Sequence, residues 1–324
     1  MKVHILDDWF DTLRSLPCFA KLDAHDVTVW NDHVEDVEIL ASRLKGVEAL
    51  VLFRERTRIT RELLELLPGL RLISQRSVYP HIDVEACTEH DVLLCSNMHS
   101  DTPSYAAAEL TWALILAAFR QFPAQMASLK EGKWQSGVGK SLRGRRIGLY
   151  GYGRIARVVA GYASSFGMDV LWWSSNEGRM RARADSQAVA PSRQEFFRSC
   201  DVISLHVRLK PATRSIITPD DFSCMSPGAL FVNTSRAGLI EKGALLAALD
   251  NGRPGMAAID VFDQEPLVDR HDPLLNHPNL TATPHIGFVT EDEYNLQFSD
   301  IFDQINAYSE GVPIHMVNPE VWRP

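Results

Sequence analysis

Residues 145–156 read RRIGLYGYGRIA, and they limit what this chain can fold into more than any other stretch. A run of buried-strand character, Arg146 to Tyr150, leads into Gly151-Tyr152-Gly153-Arg154-Ile155-Ala156, a G-x-G-x-x-A turn. That spacing has a use where a strand, a tight turn and a helix start follow one another. Gly151 makes the turn, Gly153 lets a pyrophosphate approach the backbone, and Ala156 lets helix and strand pack closely. The N–H groups at the helix start, from Tyr152 to Ile155, then face the phosphates. Alone such a turn is weak evidence, because glycine turns occur throughout α/β proteins. Its surroundings add to it: Ile155 to Ala163 is apolar at helical spacing, Phe166-Gly167 supplies a stop, and Val170 to Trp173 reads as a second strand, which makes a βαβ start.

The same alternation runs through the rest of the chain. Val3 to Leu6, Val27 to Trp30, Ala49 to Phe53, Leu70 to Ser74 and Val92 to Cys95 read as strands, with helices at Glu35 to Leu44, Thr60 to Leu67 and Val84 to His90. After a break at Asp101-Thr102-Pro103, Ser104 is a plausible N-cap and Tyr105 to Phe122 reads as one long helix. Later strands are expected at Ala188 to Ala190, Val202 to Val207, Ala229 to Asn233, Ala257 to Val261 and Leu280 to Thr283, and helices at Arg193 to Arg198, Pro219 to Met225 and Lys242 to Leu249. A tail helix, Glu291 to Ser309, is too short to fold alone and must pack on an earlier part. Alternation of this kind implies parallel sheets with right-handed crossovers. With 324 residues, too many for most single cores, the expected fold class is α/β, with two Rossmann-like or flavodoxin-like parallel-sheet domains separated by a cleft. Residues 1–100 with 290–324 are expected to form a substrate domain, and 101–289 a dinucleotide-binding domain.

Composition excludes several classes of function. A formal charge of −8 gives no basic face for a phosphate backbone, so no nucleic-acid partner is expected. Cys18, Cys87, Cys95, Cys200 and Cys224 are widely spaced, without C-x-x-C or paired histidines, and read as thiols in a reducing compartment, with no metal site. Asp7-Asp8 interrupts the N-terminal apolar stretch, which a secretory signal would not tolerate, and the longest apolar run, Leu110 to Phe119, is too short to span a bilayer. A cytoplasmic protein without membrane partners is the expectation.

Ligands of open α/β sheets bind outside the carboxyl ends of the strands, so polar residues just past an apolar run carry the chemistry. Arg236 follows Leu230 to Thr234, Asp260 and Glu265 bracket Val261-Phe262, and His285 follows Ala282-Thr283-Pro284. Hydride transfer to a ketone builds negative charge on its oxygen, which needs a proton donor that titrates near neutrality, and histidine fits. A carboxylate beside the imidazole orients it and holds its proton, a part for Glu265. A guanidinium offers a two-pronged grip on a substrate carboxylate, a part for Arg236. Each residue also has an ordinary reading: His285 as a structural hydrogen-bonder, Glu265 as a solvated loop acid, Arg236 paired with Glu241. Together with a dinucleotide turn they favour catalysis.

At this point the chain resembles the D-isomer-specific 2-hydroxyacid dehydrogenase family. The likeness runs from His81-Ile82-Asp83 and Ala108-Glu109-Leu110 through the glycine turn, Asp201 to His206, Asn233 to Arg236, Asp260 to Pro266 and Thr283 to Gly287, and ends at Val317-Asn318-Pro319. The resemblance implies Arg236 as the substrate arginine, His285 as acid/base and Glu265 as its paired carboxylate. It implies that Thr234 and Asp260 line the nicotinamide with Ser104 nearby, and that His206 and Gly287 belong to the cofactor site. It implies further that the tail returns to the first domain and that a homodimer is built on the dinucleotide domains. In the family a glycine-rich loop holds the substrate carboxylate by its backbone; this chain has Arg76-Ser77-Val78-Tyr79-Pro80 there, which places Ser77 and Val78 at the substrate and restricts that backbone. Arg208 stands where the family has proline, near the adenine.

An acid about 20 residues past the glycines would bind a ribose 2′-OH and reject a 2′-phosphate. Here Ser174-Ser175-Asn176 follows the tryptophans, with Glu177 and then Arg179, Arg181 and Arg183 beyond. NAD is the expected cofactor, with NADP not excluded. The function expected is interconversion of a small 2-keto acid and its D-2-hydroxy acid by hydride transfer. The alternative is a dinucleotide-sensing, corepressor-like interaction module without turnover.

Overall fold

The computed structural model describes residues 1–98 and 105–323. The chain divides into two compact units, Met1–Pro103 with Val289–Pro324, and Ser104–Phe288. Ser104 and its expected N-cap lie outside the described residues.

The first unit contains β1 (Lys2–Ile5), β2 (Asp26–Val29), α1 (Val37–Arg43), β3 (Ala49–Val51), α2 (Arg61–Glu65), β4 (Leu72–Arg76), α3 (Val84–Glu89) and β5 (Leu93–Asn97). The strands pair in parallel in the order β2-β1-β3-β4-β5. β3, the middle strand, is fully buried along its length, as expected of a parallel strand covered on both faces. Each helix begins on a side-chain cap: Asp36, Thr60 and Asp83 accept the N–H of Ile39, Leu63 and Ala86. Leu40, Leu44, Leu50, Leu63, Ile73 and Leu94 make one core. The tail helix, Glu291–Ser309, buries Phe298, Ile301, Phe302 and Ile305 against this unit. The Ser74 hydroxyl donates to the Ile301 carbonyl at 2.9 Å, and Lys21 pairs with Asp303 at 2.7 Å. Beyond it, the Val317 N–H donates to the Leu94 carbonyl and the Ser96 N–H to that of His315, which ties the chain end to β5.

The second unit opens with α4 (Ala106–Arg120) and α5 (Phe122–Lys130), followed by β6 (Arg146–Tyr150), α6 (Arg154–Ser165), β7 (Asp169–Trp173), α7 (Asn176–Ala184), α8 (Arg193–Ser199), β8 (Val202–Leu205), α9 (Pro219–Cys224), β9 (Leu230–Asn233), α10 (Ala244–Asp250), β10 (Met256–Ile259) and β11 (Leu280–Ala282). All its strands pair in parallel, in the order β11-β10-β9-β8-β6-β7. From β6 the chain first goes to β7 on one side and then returns to β8 on the other, so the order reverses at the glycine turn. Ile147 and Leu149 pack with Phe119 and Val159 on one face; Tyr150 packs with Phe196 and Phe197 on the other. Among the described residues no helix is long and apolar enough to cross a membrane.

Three expectations for this unit need correction. The single helix expected from Tyr105 to Phe122 ends at Arg120, because Gln121 turns left-handed (φ 55°), and a second helix, α5, starts with Pro123 in the first turn, where its missing N–H does no harm. The strand expected at Ala188 to Ala190 is a single bridge, Val189 to Trp172, made by the Trp172 N–H to the Ala188 carbonyl and the Ala190 N–H to the Trp172 carbonyl; the chain then turns into α8, which Ser192 caps. α7 was not expected at all. Its residues are polar nearly all round, with Gly178 and Ala182 buried, so it has no apolar stripe to read. Local chemistry makes it: the Ser175 hydroxyl caps the Gly178 N–H, and Arg181 and Arg183 occupy the last turn, where cations are favoured.

Candidate active site

Because β6, β9, β10 and β11 run in parallel, Gly151, Arg236, Asp260 and His285 all follow the carboxyl ends of strands on one edge of one sheet. At Gly151 the backbone takes φ 115°, and its N–H donates to the Trp173 carbonyl at 2.7 Å. A Cβ added there would lie 2.2 Å from the His206 carbonyl oxygen, so the turn closes only with glycine. Gly153 caps α6 in an extended conformation, and a Cβ at that position would meet nothing within 4 Å. The space over the turn is therefore open. Main-chain N–H groups from Gly153 to Ile155, at the start of α6, have the form that cradles a pyrophosphate. Tyr152 contributes only its backbone: its ring is buried against Trp172 at 4.7 Å and its hydroxyl donates to Asp185 at 2.5 Å.

The imidazole of His285 and the carboxylate of Glu265, twenty residues apart in sequence, meet at 2.5 Å between Nδ1 and Oε2. The other oxygen, Oε1, accepts the Phe262 N–H at 2.9 Å, so the carboxylate is pinned to backbone on one side and holds the ring with the other. Both side chains stay accessible, 26% for His285 and 33% for Glu265. Burial would raise the Glu265 carboxyl, but His285, the Phe262 N–H and the charge of Arg236 outweigh it and hold the carboxyl below its ordinary value. The Phe288 ring meets the imidazole edge-on, with centroids 5.7 Å apart.

Asp260 lies beneath this pair and is fully buried. Its Oδ1 accepts the Thr283 hydroxyl at 2.5 Å and the Ile286 N–H at 2.9 Å, and its Oδ2 accepts the Gly287 N–H at 2.8 Å. Burial is the larger influence on this carboxyl and raises it despite those donors. The carboxylate thus clamps the turn that carries His285, which itself takes φ 54°. Sequence reasoning placed Asp260 at the strand end but missed the clamp, the Phe288 contact and the left-handed backbone of His285. The only signal for the clamp was a strand-end acid facing a Pro-x-x-Gly turn.

The remaining expected residues fall as follows. Thr234 Oγ1 sits 2.7 Å from Thr111 Oγ1 on α4. Arg236 donates from Nη1 to the Ser235 carbonyl at 2.8 Å, and the Asn233 amide, almost fully buried, donates to the Arg236 carbonyl at 2.9 Å. The His206 ring is desolvated, which lowers it to about 4, and its Nε2 lies 3.0 Å from the Ser204 hydroxyl. Ser174 directly follows β7. Ser77 and Val78 belong to the other unit, where Ser77 adopts φ 80°, the left-handed conformation usual for glycine. The Ser77 carbonyl accepts the Ser96 hydroxyl at 2.7 Å and the Gln75 amide at 2.9 Å.

A family model described as "D-isomer specific 2-hydroxyacid dehydrogenase, NAD binding domain" matches residues 112–287, which span the glycine turn, Arg236, Glu265 and His285. A glyoxylate reductase of Aeropyrum pernix is 32% identical over 312 residues, 92% of this chain and 91% of that protein. The chain belongs to the D-isomer-specific 2-hydroxyacid dehydrogenase family. It is also 35% identical over 277 residues to a D-3-phosphoglycerate dehydrogenase of Methanocaldococcus jannaschii, covering 85% of this chain and 52% of that one, so it spans about half the length of that relative. An oxidoreductase of Ralstonia solanacearum of known structure superposes with a TM-score of 0.95 at 46% identity, over 100% of this chain and 98% of that one. In this 2-hydroxyacid dehydrogenase family member the cofactor is NAD(H), and the open cradle over Gly153 fits its pyrophosphate.

Proposed function

We propose that this chain interconverts a small 2-keto acid and its D-2-hydroxy acid. NAD(H), when bound, supplies or accepts the hydride at C2 of the substrate. His285 moves the proton: with Nδ1 engaged by Glu265, Nε2 is the nitrogen that gives a proton to the carbonyl oxygen in reduction and takes it back in oxidation. Glu265 orients the ring through its 2.5 Å contact with Nδ1. Arg236 grips the substrate carboxylate through parallel N–H groups and, as a fixed cation, favours negative charge on the reacting oxygen. Asp260 keeps the His285 turn in place. The backbone at Ser77 and Val78 is a further carboxylate-binding segment in this reading. The observation that carries the proposal is the His285–Glu265 pair, half-exposed at a strand end of the same sheet that carries the glycine turn.

A dinucleotide sensor without turnover has no use for an oriented proton donor there, which favours an enzyme. A homodimer through the dinucleotide unit is part of this proposal. It is supported by apolar side chains left exposed on α5 and just after it, among them Met126 at 61% and Trp134 at 78%. The five free cysteines suit a cytoplasmic setting.

The test is a rate assay following the absorbance of reduced nicotinamide with glyoxylate, hydroxypyruvate, pyruvate and bulkier 2-keto acids. At least one is expected to be reduced. His285→Asn and Arg236→Ala are expected to lower kcat/KM by about 10²–10⁴-fold while calorimetric binding of the reduced dinucleotide survives. Wild-type protein that binds the dinucleotide yet reduces none of these acids would refute the proposal. Undiminished turnover in either variant would remove that residue from the mechanism.

A further inference from the structure

The amino edge of the dinucleotide sheet carries a pocket that the hydride-transfer reading does not use. It encloses about 360 Å³, within the roughly 300–1,000 Å³ of small-molecule sites, between the ends of α4 and α6 and the segment that leads into β6. α6 starts at the Gly153 cap and ends at Ser165, so its 12 residues set the pocket about 18 Å from the glycine turn.

Three cations line the pocket, Arg120, Lys140 and Arg143, and no acidic side chain does. In a chain of net charge −8 that is a local reversal of sign. Other arginines of this edge are compensated: Arg145 pairs with Asp201 at 3.0 Å and Arg146 with Asp169 at 3.9 Å. Among the described residues, neither Arg120 nor Arg143 makes a side-chain hydrogen bond or an ion pair. Arg120 closes the last turn of α4, where a helix end favours a cation in any case. Arg143 is on no helix and has no such reason. Its guanidinium lies over Gly167, where an added Cβ would come within 3.2 Å of Nη1. The Lys140 ammonium lies over Gly228 in the same way and donates to that residue's carbonyl at 2.8 Å. Lys140 thus keeps two N–H donors for a ligand and Arg143 all five. The helix-end carbonyls that would repel an anion are engaged: that of Phe119 accepts the Lys140 N–H at 2.7 Å, and that of Ser164 the Gly167 N–H at 2.9 Å. Leu116 and Phe166 add an apolar wall, with Phe166 set edge-on to Trp112 at 4.9 Å.

We propose that this pocket is a second ligand site, for a small phosphate-bearing organic anion, with Arg143 as its principal contact. A phosphate group offers several oxygens to the guanidinium forks and the ammonium, and the apolar wall takes the carbon skeleton.

Calorimetric titration of the full chain, saturated with NADH so that the glycine turn is filled, tests the site with fructose 1,6-bisphosphate, inorganic phosphate and citrate. The bisphosphate is expected to bind at one site per chain, more tightly than inorganic phosphate, with an affinity that falls as salt rises. Arg143→Gln is expected to lower that affinity at least tenfold. Ser165→Glu, which sets a carboxylate at the exposed rim, is expected to abolish binding, and Arg236→Ala, at the opposite edge of the sheet, to leave it unchanged. No saturable binding of the bisphosphate by the wild-type chain overturns the inference. So does binding that either Arg143→Gln or Ser165→Glu leaves intact, in a chain whose circular dichroism is unchanged. Tighter binding of citrate than of the bisphosphate overturns the phosphate class, and loss of binding in Arg236→Ala assigns the anion to the substrate site and overturns the second one.

Discussion

The Asp260 carboxylate and the Gly287 main chain form the contact that holds the His285 turn: Oδ2 accepts the Gly287 N–H at 2.8 Å in a fully buried position. Two more donors, the Thr283 hydroxyl and the Ile286 N–H, converge on Oδ1. His285 sits inside this turn at φ 54°, a left-handed conformation that costs a residue with a Cβ about 1–2 kcal/mol. The clamp offsets that cost, and in doing so it aims the imidazole at Glu265.

Replacing Asp260 by asparagine tests the clamp. An amide has one accepting oxygen and turns its NH₂ toward backbone N–H donors, so at least one buried N–H loses its partner. Asp260→Asn is expected to lower stability by about 1–3 kcal/mol, read from urea denaturation midpoints at constant slope. It should also lower turnover, since a displaced turn moves His285. A variant with wild-type stability and turnover would show that the turn is held by something else.

The two glycines of the turn are expected to behave differently on substitution, because only one is crowded. Gly151→Ala drives a Cβ into the His206 carbonyl and demands φ 115° of a residue that resists it, so the expected loss is several kcal/mol, on the order of 3, seen as a lowered Tm. Gly153→Ala meets nothing in the protein and adopts an extended backbone, so stability should change by less than about 0.5 kcal/mol. Its methyl instead occupies the space over the turn, and dinucleotide affinity measured by calorimetry should fall at least tenfold. Full affinity in Gly153→Ala would place the pyrophosphate elsewhere.

Much of this arrangement was legible in the sequence for a physical reason. Parallel strands covered on both faces must be apolar along their length, so Ala49 to Val51 and Leu230 to Val232 announce themselves, and a charged residue directly after such a run stands at a strand end. Arg236, Glu265 and His285 are visible on that ground. What was hidden depends on closure in three dimensions or on polar local chemistry. α7 has no apolar stripe, and its Ser175 cap becomes apparent only once the helix is seen. The left-handed backbone at Gln121, Ser77 and His285 carries no glycine to signal it. The buried clamp of Asp260 joins residues more than twenty positions apart, and no periodicity reports such a pair.

Ser77 carries a strain that glycine would relieve. It holds φ 80° in the loop whose carbonyl receives Ser96 and Gln75. Ser77→Gly keeps those main-chain acceptors and removes the clash of Cβ with the backbone, and it is expected to raise stability by about 0.5–1 kcal/mol after the added freedom of the unfolded chain is counted. Thermal denaturation checks it. A lowered Tm would mean that the Ser77 side chain makes a contact worth more than the strain. If the backbone here binds the substrate carboxylate, KM for the best 2-keto acid should change while dinucleotide affinity does not.

Acid should destabilise the fold through His206. Desolvation lowers this imidazole from 6.5 to about 4, so the folded state holds it neutral across an interval in which the unfolded chain protonates it. Between those values the unfolded state binds more protons, and stability therefore falls as pH falls from 6.5 towards 4; the contribution is fully present above 6.5. The expected loss is on the order of 1–3 kcal/mol over that window. His206→Gln removes the titrating group while keeping a polar nitrogen within reach of the Ser204 hydroxyl, 3.0 Å from Nε2 in the native ring. Urea denaturation of the two proteins without cofactor, from neutral pH downwards, should give parallel stabilities above 6.5 and a shallower decline for the variant below it. Parallel declines throughout would mean that the ring accepts a proton without leaving the folded structure.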